Sequence, residues 1–201
     1  MSHAIKGLLA VLVVSGVMGT VWWKYQKFLT QGSRPPKGTQ KLNQMEKEGA
    51  PDFSLKDLKG EKVQLSKLKD KIVIVSFWAS WCEPCVEEFP SLVHLIQVFK
   101  GDVVLLAVSA DNTIEELRAF IKAFEVDNPN IKVMWDRDQK VASLYGTEVL
   151  PESYILGYGN TLIRKIVGVD KWDTAQAIEY FREIVTSGKK QENSKSKQGD
   201  S

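Results

Sequence analysis

The stretch Ile72-Val73-Ile74-Val75-Ser76-Phe77-Trp78-Ala79-Ser80-Trp81-Cys82-Glu83-Pro84-Cys85 decides how this chain is read. Its first seven residues form an apolar, β-branched run, the pattern of a buried strand. Its end holds the only two cysteines among 201 residues, spaced Cys-x-x-Cys. The pair therefore sits where a central strand turns into a helix. Two cysteines cannot build a disulfide scaffold, and a dithiol at such a turn points to redox chemistry.

Elements on either side complete an α/β pattern. Phe53-Ser54-Leu55 and Val63-Gln64-Leu65 flank Lys59-Gly60 and predict a hairpin. After strand 72–78, a helix is expected from about Glu83 to Phe99, then a buried strand over Val103–Val108. Asp111-Asn112-Thr113 caps a helix reaching Phe124. A short strand (Lys132–Trp135) and a short helix (Val141–Tyr145, stopped by Gly146) follow. Strands Ser153–Leu156 and Leu162–Val167 pair across Gly157-Tyr158-Gly159-Asn160, and a last helix runs from Asp173 to about Thr186. Strands alternating with helices imply a mainly parallel sheet, to which the late hairpin adds antiparallel strands.

Charge and composition divide the chain into an N-terminal membrane anchor or signal (1–27), a flexible linker (28–49), one domain (50–187) and a disordered polar tail (188–201). The net charge of +2 conceals a mildly acidic domain, with 16 Lys and Arg against 21 Asp and Glu over residues 50–187. That balance argues against a nucleic-acid-binding face. Gly7–Trp23 is uncharged and, as a helix, about 25 Å long. Trp22, Trp23 and Tyr25 stand where an aromatic belt would lie. Val17-Met18-Gly19 is a poor cleavage site, so the segment reads as an uncleaved anchor rather than a signal peptide. Lys24, Lys27, Arg34 and Lys37 outnumber Lys6, so flanking charge alone does not favour an outward-facing domain. Gly32, Pro35, Pro36 and Gly38 give residues 28–49 a tether's composition, and the last 14 residues contain no apolar side chain.

The dithiol's chemistry follows from its place on the helix. Thiolate is the nucleophile of disulfide exchange, and free N–H groups at a helix N-terminus favour an anion at Cys82. Cys85 shares a helix face with Cys82, so the two can close a disulfide, Cys82 outward as attacker and Cys85 inward as resolver. Pro84 suits a first turn because no N–H is needed there. Glu83 sets a carboxylate beside Cys82, which opposes thiolate formation and tilts the couple toward a reductant. Glu88, three residues past Cys85, reads either as a buried proton partner or as a surface acid like Glu87. Pro90 is expected to kink the helix. Pro151 is either cis or an ordinary strand-start proline. A zinc site lacks ligands, because His3 precedes the apolar segment and His94 is offset from the cysteines.

With these residues in place, the chain resembles thioredoxin, and more narrowly the membrane-anchored TlpA/ResA/CcmG group of thiol-disulfide oxidoreductases. The resemblance spans about Gly49–Ser187. It rests on Ala50-Pro51-Asp52-Phe53, on Phe77–Cys85 and on Leu150-Pro151-Glu152-Ser153-Tyr154. It implies a thioredoxin-like α/β fold, a central mixed sheet flanked by helices with an N-terminal β-hairpin. It implies that Cys82 attacks, Cys85 resolves and Glu88 is a buried carboxylate at the site. Trp81, Glu83, Pro84, Leu150, Pro151 and Glu152 would form the substrate surface, with Pro151 cis. Ser76 stands where thioredoxin keeps a buried Asp, which leaves proton handling to Glu88.

The implied activity is reduction of disulfide-bearing partner proteins such as apocytochrome c, with electrons supplied by a membrane thiol transporter. The cofactor expectation is none beyond the Cys82–Cys85 couple, and the domain is placed outside the cytoplasm. A general extracytoplasmic reductase or isomerase partner is the alternative. A copper(I) metallochaperone is disfavoured by the shortage of Met and His near the motif.

Overall fold

The computed structural model describes residues 3–30 and 37–198; residues 1–2, 31–36 and 199–201 lie outside the description, as do the side chains of 3–6, 8–12, 14, 28–30, 37–39 and 191–198. The chain divides into two compact units, Met1–Lys37 and Gly38–Ser201.

The first unit is one helix, α1 (His3–Thr30). Along it Val17, Met18, Val21, Trp22 and Trp23 are each more than half exposed. Much of the apolar run expected to form the anchor, residues 8–12 and 14, has side chains outside the description. Among the described residues no helix is long and apolar enough to cross a membrane.

In the second unit a five-stranded sheet is ordered β5 (Ile131–Trp135), β4 (Val103–Ser109), β3 (Ile72–Trp78), β6 (Glu152–Leu156), β7 (Leu162–Val167). β3, β4 and β5 are parallel; β6 pairs antiparallel with β3, and β7 pairs antiparallel with β6. β1 (Ser54–Lys56) and β2 (Lys62–Gln64) form the expected hairpin, bridged to β5 through Asp57 and Met134. This is the thioredoxin-like arrangement.

All seven side chains of β3 are buried, and alternation sends them into two cores. Ile72, Ile74 and Trp78 join Phe89, Leu92 and Leu95 of α3 (Glu83–Phe99), Leu117 of α4 (Ile114–Ala123), and Phe181 of α6 (Ala175–Gln198). Val73, Val75 and Phe77 join Met45 of α2 (Lys37–Glu48), Val141 and Tyr145 of α5 (Lys140–Tyr145), and Tyr154. A strand with no polar face must sit mid-sheet between two layers.

Two boundaries differ from expectation. The segment 28–49 is not tether throughout, because α2 occupies Lys37–Glu48 with Met45 only 1% exposed. Leu42 and Met45 lie one helical turn apart and both pack into the second core, which docks an otherwise polar helix. Lys41 reinforces the contact by donating from Nζ to the Ser143 carbonyl oxygen at 3.1 Å. At the other end α6 does not stop near Thr186 but continues to Gln198. Gly188 lies inside it because the Tyr158 ring occupies the space a Cβ would take, 2.1 Å from that position. Lys189 pairs with Asp102 at 2.8 Å.

If α2 is part of the folded unit, Met45→Ala should lower the unfolding free energy by about 2 kcal/mol. Denaturant titration checks this, and an unchanged midpoint would mean that α2 is not docked in solution.

Candidate redox site

Parallel pairing of β3 with β4 delivers the Cys-x-x-Cys turn to the carboxyl edge of the sheet. Trp78 ends β3 and packs on Phe89 and Phe120, with ring centroids 4.8 and 4.9 Å away. The chain then turns, with the Cys82 N–H donating to the Ala79 carbonyl at 3.2 Å. Cys82 is the N-cap of α3, in extended backbone, and Pro84 sits in the first turn where no donor is lost. The Val86 N–H donates to the Cys82 carbonyl at 3.1 Å and closes that turn.

Cys82 and Cys85 are joined in a disulfide, with Cα atoms 5.2 Å apart. Cys82 is 7% exposed and Cys85 2%. Cys82 lines a groove of about 460 Å³ together with Trp81, Pro84, Ala110, Val149 and Leu150. Trp81 and Val149 are 57% and 50% exposed at its rim. The Leu150–Pro151 peptide bond is cis. Of the two readings of Pro151, the structure therefore has the one that the resemblance implies.

The other expected residues separate by environment. Glu83 and Pro84 are exposed beside Cys82. Glu152 is 2% exposed and does not face the groove. It accepts a hydrogen bond from the Tyr154 hydroxyl at 2.5 Å and pairs with Lys165 at 3.0 Å. Its contribution is to fasten the start of β6, which carries Pro151, rather than to line the groove. Ser76 accepts from the Ser153 hydroxyl at 3.0 Å, so two small side chains link β3 and β6. His94 is exposed on α3, away from the disulfide. Among the described residues no group of three His, Cys, Asp or Glu side chains could hold a metal ion.

Glu88 is buried, 3% exposed, on α3 one turn beyond Cys85. It accepts from the Trp172 indole N–H at 2.6 Å and from the Asp170 N–H at 3.3 Å. Burial pushes its carboxyl up from 4.5 to about 7. The two donors oppose that rise, and the Asp170 charge adds to it. A carboxyl poised there can accept or release a proton near neutral pH.

Two residues of the site carried no usable sequence signal. Asp111 lies beside the helix-cap motif, but Thr113 makes the capping box with Glu116. Asp111 instead accepts from the Ser80 N–H and hydroxyl at 2.9 and 2.6 Å, and from the Ser109 hydroxyl at 2.6 Å. It clamps the turn before Cys82 to the end of β4. Trp172 reaches Glu88 across 84 residues, and no spacing rule connects them.

The raised Glu88 carboxyl makes stability depend on pH. Its contribution is fully present below about pH 4.5, where folded and unfolded chains both hold the proton, and is lost as pH rises through about 7. Relative to Glu88→Gln, the parent should lose about 3 kcal/mol of unfolding free energy across that window. Chemical denaturation of both proteins from pH 4 to 8 would show it; a constant difference would mean that Glu88 titrates normally.

The AhpC/TSA family profile matches residues 47–165. The chain is 31% identical over 180 residues to the thiol-disulfide oxidoreductase ResA of Bacillus thuringiensis, covering 89% of this chain and 94% of that one. A Chlorobium tepidum chain assigned as the thiol:disulfide interchange protein DsbE superposes with a TM-score of 0.58 at 26% identity, covering 70% of this chain and 94% of that one. The exposed lipoprotein thioredoxin Etrx1 of Streptococcus pneumoniae superposes with a TM-score of 0.53 at 25% identity, covering 65% and 99%. With the fold, the dithiol turn and the cis-proline segment all in agreement, this chain belongs to the thioredoxin-like AhpC/TSA family and is a thiol-disulfide oxidoreductase of the ResA and DsbE type.

Proposed function

We propose that the protein is a membrane-tethered reductant of disulfides in extracytoplasmic partner proteins, with apocytochrome c as a substrate. The observation that carries this reading is the Cys82–Cys85 couple set between an exposed groove and the buried Glu88 carboxyl. In the reduced enzyme the Cys82 thiolate attacks one sulfur of the partner's disulfide. A mixed disulfide forms and the partner's second cysteine leaves as a thiolate. Glu88 accepts the Cys85 proton, and the Cys85 thiolate attacks the Cys82 sulfur. The Cys82–Cys85 disulfide forms, the partner's remaining thiolate is released, and two electrons have passed to the partner. No further cofactor is needed in this cycle; a membrane dithiol donor restores the reduced couple by the reverse exchange.

Glu83 beside Cys82 supports the reductant direction, because a carboxylate disfavours the thiolate and with it the reduced form. Trp81, Val149 and the backbone at Leu150–Pro151 supply the surface on which an extended substrate strand would lie. The tether reading is supported by the uncharged stretch Gly7–Trp23 and by the exposed apolar side chains of α1. Placement outside the cytoplasm draws support from the likeness to an exposed lipoprotein thioredoxin. Apocytochrome c is supported by the resemblance to the ResA and CcmG group, since its haem-attachment cysteines must be reduced.

A reduction potential at or below about −200 mV is expected, and one near −120 mV would make the protein an oxidant. Cys85→Ser should trap the partner as a mixed disulfide on Cys82. Mass spectrometry of the trapped adduct should find a Cys-x-x-Cys-His polypeptide; adducts lacking that motif would remove the cytochrome assignment and leave a general reductase.

A further inference from the structure

The loop between β7 and α6 touches both halves of the redox site. At its start the Gly168 N–H donates to the Pro151 carbonyl at 2.9 Å. Gly168 has φ +85°, a conformation that L side chains rarely adopt, so glycine suits this position. The Asp170 N–H and the Trp172 indole N–H then take one oxygen each of the Glu88 carboxyl, at 3.3 and 2.6 Å. The Trp172 backbone N–H donates to Ser91 Oγ at 3.3 Å, and the Ser91 hydroxyl donates to the Glu88 carbonyl at 2.8 Å. Trp172 is itself 2% exposed and packs toward Phe181, ring centroids 6.2 Å apart.

We propose that Trp172 is a positioning residue of the redox site, its indole N–H orienting the Glu88 carboxyl while the same loop fixes the Pro151 end of the docking strand. This rests on the proton-carrier role proposed for Glu88. The chemistry of the donor is suited to the task. An indole N–H donates but neither accepts a hydrogen bond nor takes up a proton at ordinary pH. It therefore favours ionised Glu88 without competing with Cys85 for the proton. The Trp172 and Asp170 donors approach different oxygens, which fixes the carboxyl plane as well as its position. Among the described residues the charge that acts on Glu88 is that of Asp170 on the loop, which opposes ionisation, and Cys85 lies one turn before Glu88 on α3. Trp78, Ile155 and Phe181, from the sheet and α6, keep the core of this face apolar. The hydrogen bond is thus formed in a medium where it is strong.

The test is the pH profile of disulfide reduction by the full chain, with a disulfide-bonded synthetic peptide as substrate. Trp172→Phe keeps the ring and removes the donor. The Glu88-dependent midpoint should rise by about one pH unit, as expected when one bond to a charged group is lost. In a Glu88→Gln background the same change should leave the profile where Glu88→Gln put it. An unmoved midpoint, or an equal shift in both backgrounds, overturns the assignment. If Glu88→Gln alone leaves the parent profile intact, the proton role of Glu88 fails and this inference with it. If Glu88→Gln alters the profile and Trp172→Phe does not, only the inference about Trp172 fails. Should Trp172→Phe not fold, the indole proton resonance of Trp172 in the parent decides: it should titrate near pH 7 and cease to do so in Glu88→Gln. A resonance that is flat across that range overturns the proposal.

Discussion

The burial of β3 on both faces is the constraint from which the other features follow. A strand whose every side chain is apolar or small has no solvent face, so it must lie between two helical layers with paired strands on each side. Parallel β4 on one edge and antiparallel β6 on the other satisfy its backbone. They also bring the C-terminal end of β3, which leads into Cys82, beside the N-terminal end of β6, which follows Pro151. The dithiol turn and the cis-proline segment are neighbours because β3 and β6 pair directly, not because they are close in the chain.

Polar groups in the site are placed where the buried sheet edge leaves backbone to be held. Asp111 fastens the turn before Cys82, and Glu152 fastens the start of β6 through Tyr154 and Lys165. Glu88 differs from both. Asp111 and Glu152 each have a structural duty that fixes a backbone segment. Glu88 lies buried with only N–H donors and the Asp170 charge around it, and its carboxyl is driven upward rather than held in a salt bridge. A group that is costly to ionise and close to a dithiol is suited to proton exchange.

Legibility tracked the range of the interactions. Strands β3, β4 and β7, helix α3 and the β6–β7 hairpin were readable because apolar runs, a proline in a first turn and glycine-rich turns are local signals. The dithiol was readable for the same reason. Glu88 stayed open between a buried and a surface acid, since three-residue spacing from Cys85 fixes a helix face but not what covers it. The α2 helix was masked by composition: two apolar residues among charges resemble a tether until a core exists to receive them. Gly188 read as the start of a loose tail, whereas the Tyr158 ring requires a glycine inside a continuing helix.

The sequence by itself determined that the chain carries a redox dithiol at a strand-to-helix turn, in an α/β domain preceded by an apolar segment. Those features depend on residue type and short spacing, which the chain states directly. Only the tertiary structure decided that Glu88 is buried, that Trp172 and Asp170 hold it, that Asp111 clamps the turn and that Glu152 faces inward. Each of these rests on a contact between segments far apart in the chain. Such contacts are set by how layers close over the sheet, and local pattern does not encode them.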